Sequence, residues 1–263
     1  DRRQRQMCIR DRYKPRFSNS WDEYRNSIWH RVGYVNWGYE AIGRFDSWEQ
    51  IANYPVDNDR KGNRTVVPGD IMYKDQNNDG VINYLDERPI GYRVDSTPTL
   101  NFGINLSASW KGFDLAMDWT GSGMTSWNQC YETARPFQND GNSPDEVLKD
   151  AWHLSDIWDA NSPLIPGKYP MVRLNTDETS AYDKSSYWLH NVTYLKLRNL
   201  EVGYTFPKTW LNRTGISNLR LFVSGTNLLT LSNLSVMDPE CASDNGLDYP
   251  PMRVINIGVN LKF

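Results

Sequence analysis

The sequence predicts an all-β fold that forms part of a transmembrane antiparallel β-barrel with long extracellular loops. Three observations carry this prediction. Apolar and polar residues alternate over long stretches, the connections between these stretches are alternately short and long, and aromatic residues gather at the ends of the stretches. Because a barrel strand needs only about 9 to 11 alternating residues, the low hydropathy of the chain is compatible with a membrane location.

Five alternating stretches are predicted as strands. The first two flank a tight turn at Lys111 and Gly112, and the third changes its alternation near Arg198 and Asn199, which indicates a β-bulge. One face of each stretch is apolar, and Phe222 in the fourth stretch is the exception. We predict one antiparallel meander in sequence order with strands at 98–110, 113–122, 190–206, 218–230 and 252–263.

The connections separate a barrel from a soluble domain. Residues 123–187 and 231–251 are long and rich in Asn, Asp, Ser and Pro, whereas the turn near 111 and the link 207–217 are short. Long loops count against a compact soluble domain and are typical of the extracellular side of a barrel. We expect two aromatic girdles, with Trp119 and Trp188 on the long-loop side and these residues on the short-turn side: Trp110, Phe113, Tyr204, Phe206 and Phe263.

The final strand, "MRVINIGVNLKF", has the clearest alternation. Its apolar residues, including Ile255, share one face, and Asn256, Gly258, Asn260 and Lys262 share the other. An apolar face that ends in an aromatic residue resembles the C-terminal signal by which outer-membrane proteins are recognised for insertion. The residues assigned to this signal are Ile257, Val259, Leu261 and Phe263.

Composition and spacing argue against several function classes. The net charge of -3 argues against a nucleic-acid partner. The three histidines have no spacing typical of a zinc site or a catalytic triad, and Asp114 and Asp118 are interpreted as polar wall residues and not as paired catalytic acids. We therefore predict no enzymatic activity. Cys130 and Cys241 can be two free thiols or one disulfide.

The chain divides into three parts. Residues 1–12, "DRRQRQMCIRDR", resemble a translated sequencing adapter and are excluded from the fold. Residues 13–97 are predicted as an extracellular loop region, and residues 98–263 as barrel strands with their extracellular loops.

A candidate metal site lies in segment 75–86 of the loop region. Hard oxygen ligands at alternate positions can surround one calcium ion, and Gly80 allows the sharp turn that an EF-hand-like loop requires. No pair of helices flanks the segment, so a structural clamp is favoured over a sensor. The alternative is an Asx-rich turn that needs no ion. The six candidate ligands are Asp75, Asn77, Asp79, the Val81 carbonyl, Asn83 and Asp86.

Five segments, in the same order, resemble the SusC/RagA-like family of TonB-linked outer-membrane transporters. They are "GDIMYKDQNNDGVINYLDERPIG", "TLNFGINLSASWKGFDLAMDWTGSG", "YWLHNVTYLKLRNLEVGYTFP", "LRLFVSGTNLLTLSNLSVMDPE" and "YPPMRVINIGVNLKF". Several linked motifs in one order are much more specific than any single motif.

The resemblance implies a C-terminal fragment with about five strands of a 22-stranded barrel. It implies import of large nutrients, oligosaccharides or peptides, across the outer membrane of a Gram-negative bacterium. The implied partners are a SusD-like surface lipoprotein, the TonB complex through an N-terminal region absent from this chain, outer-membrane lipid and the barrel assembly machinery.

A second interpretation is a secreted β-sandwich that is stiffened by calcium and binds glycans through its many Trp and Tyr residues. A sandwich needs two sheets whose apolar faces meet over a core about 10 Å thick, with mostly short connections. Strand length and loop asymmetry favour the barrel.

Overall fold

The computed structural model describes residues 18–26, 35–92, 98–174, 179–212, 215–240, 245–246, 248–249 and 251–263. The chain divides into two units, residues 1–35 and residues 36–263. The first unit contains helix α1, Ser20–Asn26, and the Asn19 side chain accepts a hydrogen bond from the Asp22 amide at 2.9 Å near its start. The adapter-like segment 1–12 lies outside the described residues.

The described part of the second unit is mostly β-structure. Its helices are α2 Trp48–Ala52, α3 Asp145–Lys149 and α4 Lys208–Leu211. Its strands are β1 Asn36–Gly38, β2 Ala41–Arg44, β3 Ile71–Tyr73, β4 Arg88–Gly91, β5 Leu100–Trp110, β6 Phe113–Asn128, β7 His153–Leu154, β8 Leu164–Ile165, β9 Leu189–Thr205, β10 Asn218–Ser232 and β11 Val254–Lys262. No helix in this described part has the length and apolar character needed to cross a bilayer.

The five long strands form one antiparallel sheet in the order β5, β6, β9, β10, β11. This order confirms the predicted meander, because the short strands β7 and β8 pair only with each other in the connection between β6 and β9. The sandwich interpretation is wrong, because it requires these strands to be divided between two facing sheets.

Two local features set the register of the sheet. Lys111 and Gly112 have φ values of 48° and 93°, the left-handed conformation that a two-residue hairpin turn requires. The predicted bulge is confirmed at Arg198. Asn199 pairs with Asp118 and Leu197 with Trp119, so that Arg198 is the extra residue, and the ladder with β10 also shifts there.

Strand β6 is longer than predicted. The alternation breaks at the "GSG" of residues 121–123, and the predicted end at 122 is wrong because pairing resumes after an irregularity. Met124 adopts a φ of 56° at this irregularity, and residues from Thr125 to Asn128 then pair with the start of β9. The local pattern indicates a break, but the partner strand continues and supplies the hydrogen bonds.

The two faces of the sheet differ as the alternation predicts. We call the face with Ile257 the apolar face and the opposite face the polar face. Phe102 lies opposite Gly121 on the apolar face, and Phe222 lies opposite Gly258 on the polar face. A β-carbon at either glycine would overlap the phenylalanine ring, so each ring covers its glycine. This packing explains why Phe222 departs from the alternation.

The segment before β5 and the connection between β6 and β9 form a packed layer and not open loops. Segments 36–91 and 129–188, which we call the loop layer, share a hydrophobic core. Trp188 is 2% exposed, and its Nε1 donates a hydrogen bond to the Ala181 carbonyl at 2.8 Å. The prediction that Trp188 belongs to an aromatic girdle is therefore wrong. The buried residues of this core are Tyr39, Ile71, Tyr73, Ile82, Ala134, Val147, Ala151, Tyr169, Ala181, Tyr182 and Trp188.

A buried carboxylate organises one turn of the loop layer. Asp59 accepts hydrogen bonds from the backbone amides of Lys61, Asn63 and Thr65 and from the Thr65 hydroxyl. Burial would raise the pKa of the Asp59 carboxyl, but these hydrogen bonds outweigh burial and lower the pKa to about 2. Since the folded pKa is depressed, the ionised carboxylate stabilises the turn above pH about 4, and this contribution is lost as pH falls toward 2.

We expect Asp59→Asn to lower the free energy of local unfolding around residues 57–71 by about 2 kcal/mol at neutral pH, because an amide replaces the hydrogen-bonded carboxylate. Hydrogen exchange measured by mass spectrometry should be roughly 30-fold faster for this segment. The difference from wild type should shrink as pH falls from about 4 toward 2. Asp46→Asn, at an exposed position, is the control. Equal exchange in Asp59→Asn and wild type would contradict the assignment.

Candidate functional site

The polar face carries a charge cluster that joins three strands. The Arg220 guanidinium on β10 binds Asp114 on β6 through two nitrogens, one of them Nε at 3.1 Å, and it binds Glu201 on β9 at 2.6 Å. One cation therefore binds two carboxylates across the sheet. The side chains are 22% to 40% exposed, so solvent weakens but does not remove the attraction.

Gly203 makes room for this cluster. It lies opposite Asp114 on the polar face, and a β-carbon there would come within 2.5 to 2.7 Å of the Arg220 guanidinium and the Asp114 carboxylate. The glycine allows the arginine to cross the central strand. The interpretation of Asp114 as a polar wall residue agrees with this ion pair, and Asp118 likewise accepts a hydrogen bond from Asn199 at 3.2 Å.

A second cluster fixes the segment that follows β10. Lys196 is 1% exposed, and its ammonium lies 2.6 and 2.8 Å from the two Asp238 carboxylate oxygens and 3.0 Å from Glu240. Arg198, the bulge residue, also pairs with Glu240 and donates from Nε to the Thr120 hydroxyl at 2.9 Å. The sequence prediction missed these contacts. The available signal was two cations at successive polar-face positions, followed along the chain by the acidic pair of "DPE".

The apolar face ends in aromatic residues at the short-turn side, as predicted. Ring centroids of Phe113 and Tyr204 are 4.6 Å apart, those of Tyr204 and Phe206 are 5.0 Å apart, and Trp210 continues the row at 6.1 Å from Phe206. Phe263 lies one residue beyond β11. Along β11 the four residues of the candidate insertion signal are exposed on the apolar face: Ile257, Val259, Leu261 and Phe263.

The structure brings together three of the six candidate metal ligands. One carboxylate oxygen each from Asp75, Asp79 and Asp86 lie within 4.8 Å of one another. Gly80 has a φ of +82°, which favours glycine at the turn. This set of hard oxygen donors fits a calcium ion.

The other three candidate ligands, Asn77, Val81 and Asn83, form hydrogen bonds inside the segment. The Asn77 Oδ1 accepts from the Asp79 amide at 3.0 Å, and the Asn83 Oδ1 accepts from the Leu85 amide at 2.9 Å. The Val81 carbonyl accepts from the Asn83 side chain at 3.1 Å. In this arrangement the segment is an Asx-rich turn whose carboxylates remain close enough to share an ion.

The described histidines have structural contacts. His190 stacks on Trp127 with centroids 5.8 Å apart, and a ring nitrogen of His153 lies 2.9 Å from the Ala151 carbonyl oxygen. Cys130 is half-buried. His30 and Cys241 lie outside the described residues, so pairing of the two cysteines stays open.

Comparison with known proteins identifies the relatives of the chain. No protein-family model matches it. TonB-dependent receptor P3 of Formosa agariphila is 30% identical over 242 residues, which cover 85% of this chain and 22% of the receptor. TonB-dependent receptor SusC of Bacteroides thetaiotaomicron is 24% identical over 252 residues, 89% of this chain and 20% of SusC. These similarities agree with the resemblance to the SusC/RagA-like family of TonB-linked transporters that the five sequence segments indicate.

Solved structures agree with this assignment at the level of the fold. The chain resembles a structure of the RagAB peptide transporter with a TM-score of 0.55 and 21% identity, over 87% of this chain and 22% of that one. It resembles the RagAB importer in a "closed-closed" state with a TM-score of 0.56 and 20% identity, over 87% and 23% of the two chains. The sheet is therefore a stretch of barrel wall. The relatives are receptors and transporters and not enzymes, which agrees with the prediction of no enzymatic activity.

The chain spans about a fifth of the length of the curated relatives that it matches.

We expect Arg220→Met to lower the unfolding temperature of the purified protein, because Asp114 and Glu201 lose their common cation and repel each other. The measurement is the temperature at which the heat-modifiable band unfolds in gel electrophoresis. Arg220→Lys should lose less stability, since it keeps the charge without the two-nitrogen geometry. An unchanged unfolding temperature for Arg220→Met would show that the cluster does not join the strands.

Proposed function

We propose that the chain forms five strands from the C-terminal part of a 22-stranded barrel that imports oligosaccharides or peptides across the outer membrane of a Gram-negative bacterium. The observation that carries the proposal is the single meander with one continuous apolar face, in a chain 30% identical to a TonB-dependent receptor. Apolar side chains of such a face are stable in contact with lipid. The backbone is stable there as well, because a closed sheet satisfies its hydrogen bonds internally.

In this proposal the apolar face contacts outer-membrane lipid and the polar face lines the interior. The aromatic row at the short-turn side lies at the periplasmic interface, and the loop layer lies at the extracellular end. Two features support this arrangement. The loop layer is joined to the end of the sheet opposite the Lys111–Gly112 turn, and the charged clusters of Arg220 and Lys196 are confined to the polar face.

The proposed partners follow from the family. A SusD-like surface lipoprotein would cover the extracellular end, and the TonB complex would supply energy through a segment outside this chain. The barrel assembly machinery would insert the strands. That the final residues serve it as an insertion signal stays a prediction.

We also propose that segment 75–86 binds one calcium ion as a structural clamp. The proximity of the Asp75, Asp79 and Asp86 carboxylates supports this, because oxygens within 4.8 Å of one another can share one cation. Backbone amides of the segment donate to all three carboxylates and hold them in this arrangement. The ion would stiffen the turn that joins β3 to β4 and would perform no chemistry.

The facing of β11 can be tested with two neighbouring residues. In the intact receptor, Ile257→Arg places a charge in hydrocarbon at a cost of about 2 to 4 kcal/mol near the midplane, whereas Asn256→Arg faces the polar interior and should cost much less. The measurement is the amount of heat-modifiable, membrane-inserted barrel. Ile257→Arg should assemble poorly, and Asn256→Arg should assemble nearly as well as wild type.

Phe263→Ala belongs to the same assay and should reduce assembly moderately, since an aromatic residue at the interface is lost. Equal assembly of Ile257→Arg and Asn256→Arg would show that the two faces are assigned incorrectly. It would also contradict the proposal that the apolar face contacts lipid.

The calcium proposal predicts that Asp75→Ala combined with Asp79→Ala abolishes heat release when calcium is titrated into the purified receptor. Asp46→Ala, which removes an exposed carboxylate outside the segment, is the control and should leave the titration unchanged. If wild type and the double variant give the same titration curve, the segment is an Asx-rich turn without an ion.

A further inference from the structure

Residues 233–240, which we call the strap, leave the end of β10 and fold back over the polar face of the sheet. The first anchor is Asn233. Its side-chain oxygen accepts from the Thr193 amide at 2.9 Å, and its side-chain nitrogen donates to the Asn191 carbonyl at 2.7 Å. The strap therefore begins as an extra hydrogen-bonded segment beside β9.

Apolar contacts form the second anchor. Leu234 is buried with Trp127, Val192 and Tyr194, and Val236 and Met237 pack against the same cluster. Trp127 and Val192 lie beyond the irregularity at Met124, and Tyr194 pairs with Ser122 immediately before it. The strap thus covers apolar side chains on a face that is otherwise polar.

The third anchor is the Lys196 cluster at the far end of the strap. Both acidic partners, Asp238 and Glu240, belong to the strap, whereas both cations, Lys196 and Arg198, belong to β9. The Glu240 amide also donates to Asp238 at 2.9 Å, which holds the two carboxylates in one orientation. An ammonium that is 1% exposed is stable only while its anionic partners stay in place.

Lys196 and Arg198 are two residues apart, so alternation places both cations on the same face of β9. The bulge at Arg198 inserts one residue, and Asn199 therefore also meets Asp118 on the polar face. Arg198 itself binds Thr120 on β6 and Glu240 on the strap.

The strap also forms one wall of a cavity. A cavity of about 620 Å³ is lined by Val236, Met237, Asp238 and Glu240 of the strap and by residues that follow in the same connection, which include Tyr249. The cavity therefore lies in the connection between β10 and β11, and its width depends on the position of the strap.

We propose that Lys196 and Arg198 form a lock that holds the strap across the polar face, and that opening this lock releases the strap while the five strands stay paired. If the polar face lines the transport path, as the proposed function has it, the strap is a gate whose position determines how much of that path is open.

The test compares hydrogen exchange of residues 233–240 with that of β9 and β10 in the intact receptor. Lys196→Met removes the cation, and the strap should exchange about 100-fold faster while the strands keep their protection. Lys196→Arg keeps the charge and should restore most of the protection. Lys74→Met, which breaks an exposed ion pair with Glu40 in the loop layer, is the matched control and should leave the strap unchanged.

A second variant, in the strap itself, keeps the proposal testable if Lys196→Met misfolds. Asp238→Asn combined with Glu240→Gln leaves β9 intact and should release the strap equally. Val192→Cys, in a receptor whose native cysteines are replaced by serine, reports the release directly, because Val192 lies beneath Leu234 and should react faster with a maleimide once the strap moves.

Two results would overturn the proposal. Unchanged strap exchange in both variants would show that the clusters do not lock the segment. Loss of protection throughout β9 and β10 would show that Lys196 holds the sheet and not the strap. Neither result depends on transport, so the outcome is independent of the test of β11 facing.

Discussion

The hydrogen-bonded register of the five strands is the constraint on which the rest of the structure depends. Side chains in a strand alternate with a period of two, so a shift of one residue would exchange the two faces of the sheet. The Lys111–Gly112 turn fixes β5 against β6, and the ladders then carry this register through β9 to β11. These pairings place the apolar residues on one face of the sheet and the charged residues on the other.

Within that register, the charged side chains on the polar face form ion pairs between strands and not along one strand. Arg220 joins three strands, and Lys196 with Arg198 joins the sheet to the segment after β10. Cross-strand pairs of this kind need opposite charges at facing positions and space between them, which Gly203 provides for Arg220. The apolar face of the sheet thus consists of apolar contacts, whereas the polar face is held together by a few hydrogen-bonded ion pairs.

The sequence predicts the sheet well because alternation is a local signal. Strand order, the hairpin turn, the bulge at Arg198 and the aromatic row at the short-turn side were all predicted correctly. The extension of β6 beyond the glycines at 121 and 123 was not predicted, because its hydrogen bonds come from a partner strand distant in sequence.

The sequence prediction also missed the core of the loop layer, for a related reason. Its residues come from segments separated by two strands, and no periodicity marks them, so Trp188 was assigned to a membrane interface although it is buried in protein. Three carboxylates of the candidate metal site lie close together because they belong to one short turn, and that they bind an ion stays a prediction.

The two phenylalanine rings that cover glycines have an evolutionary consequence. Phe102 over Gly121 and Phe222 over Gly258 are pairs on neighbouring strands in which the large residue occupies the space that the small one leaves free. Neither member can change alone without a steric clash or an exposed stretch of backbone, whereas a joint exchange of large and small residues preserves the volume. Among homologous sequences the two positions of each pair should therefore covary, and the sign of that covariation would report which strands are neighbours in receptors whose structures have not been determined.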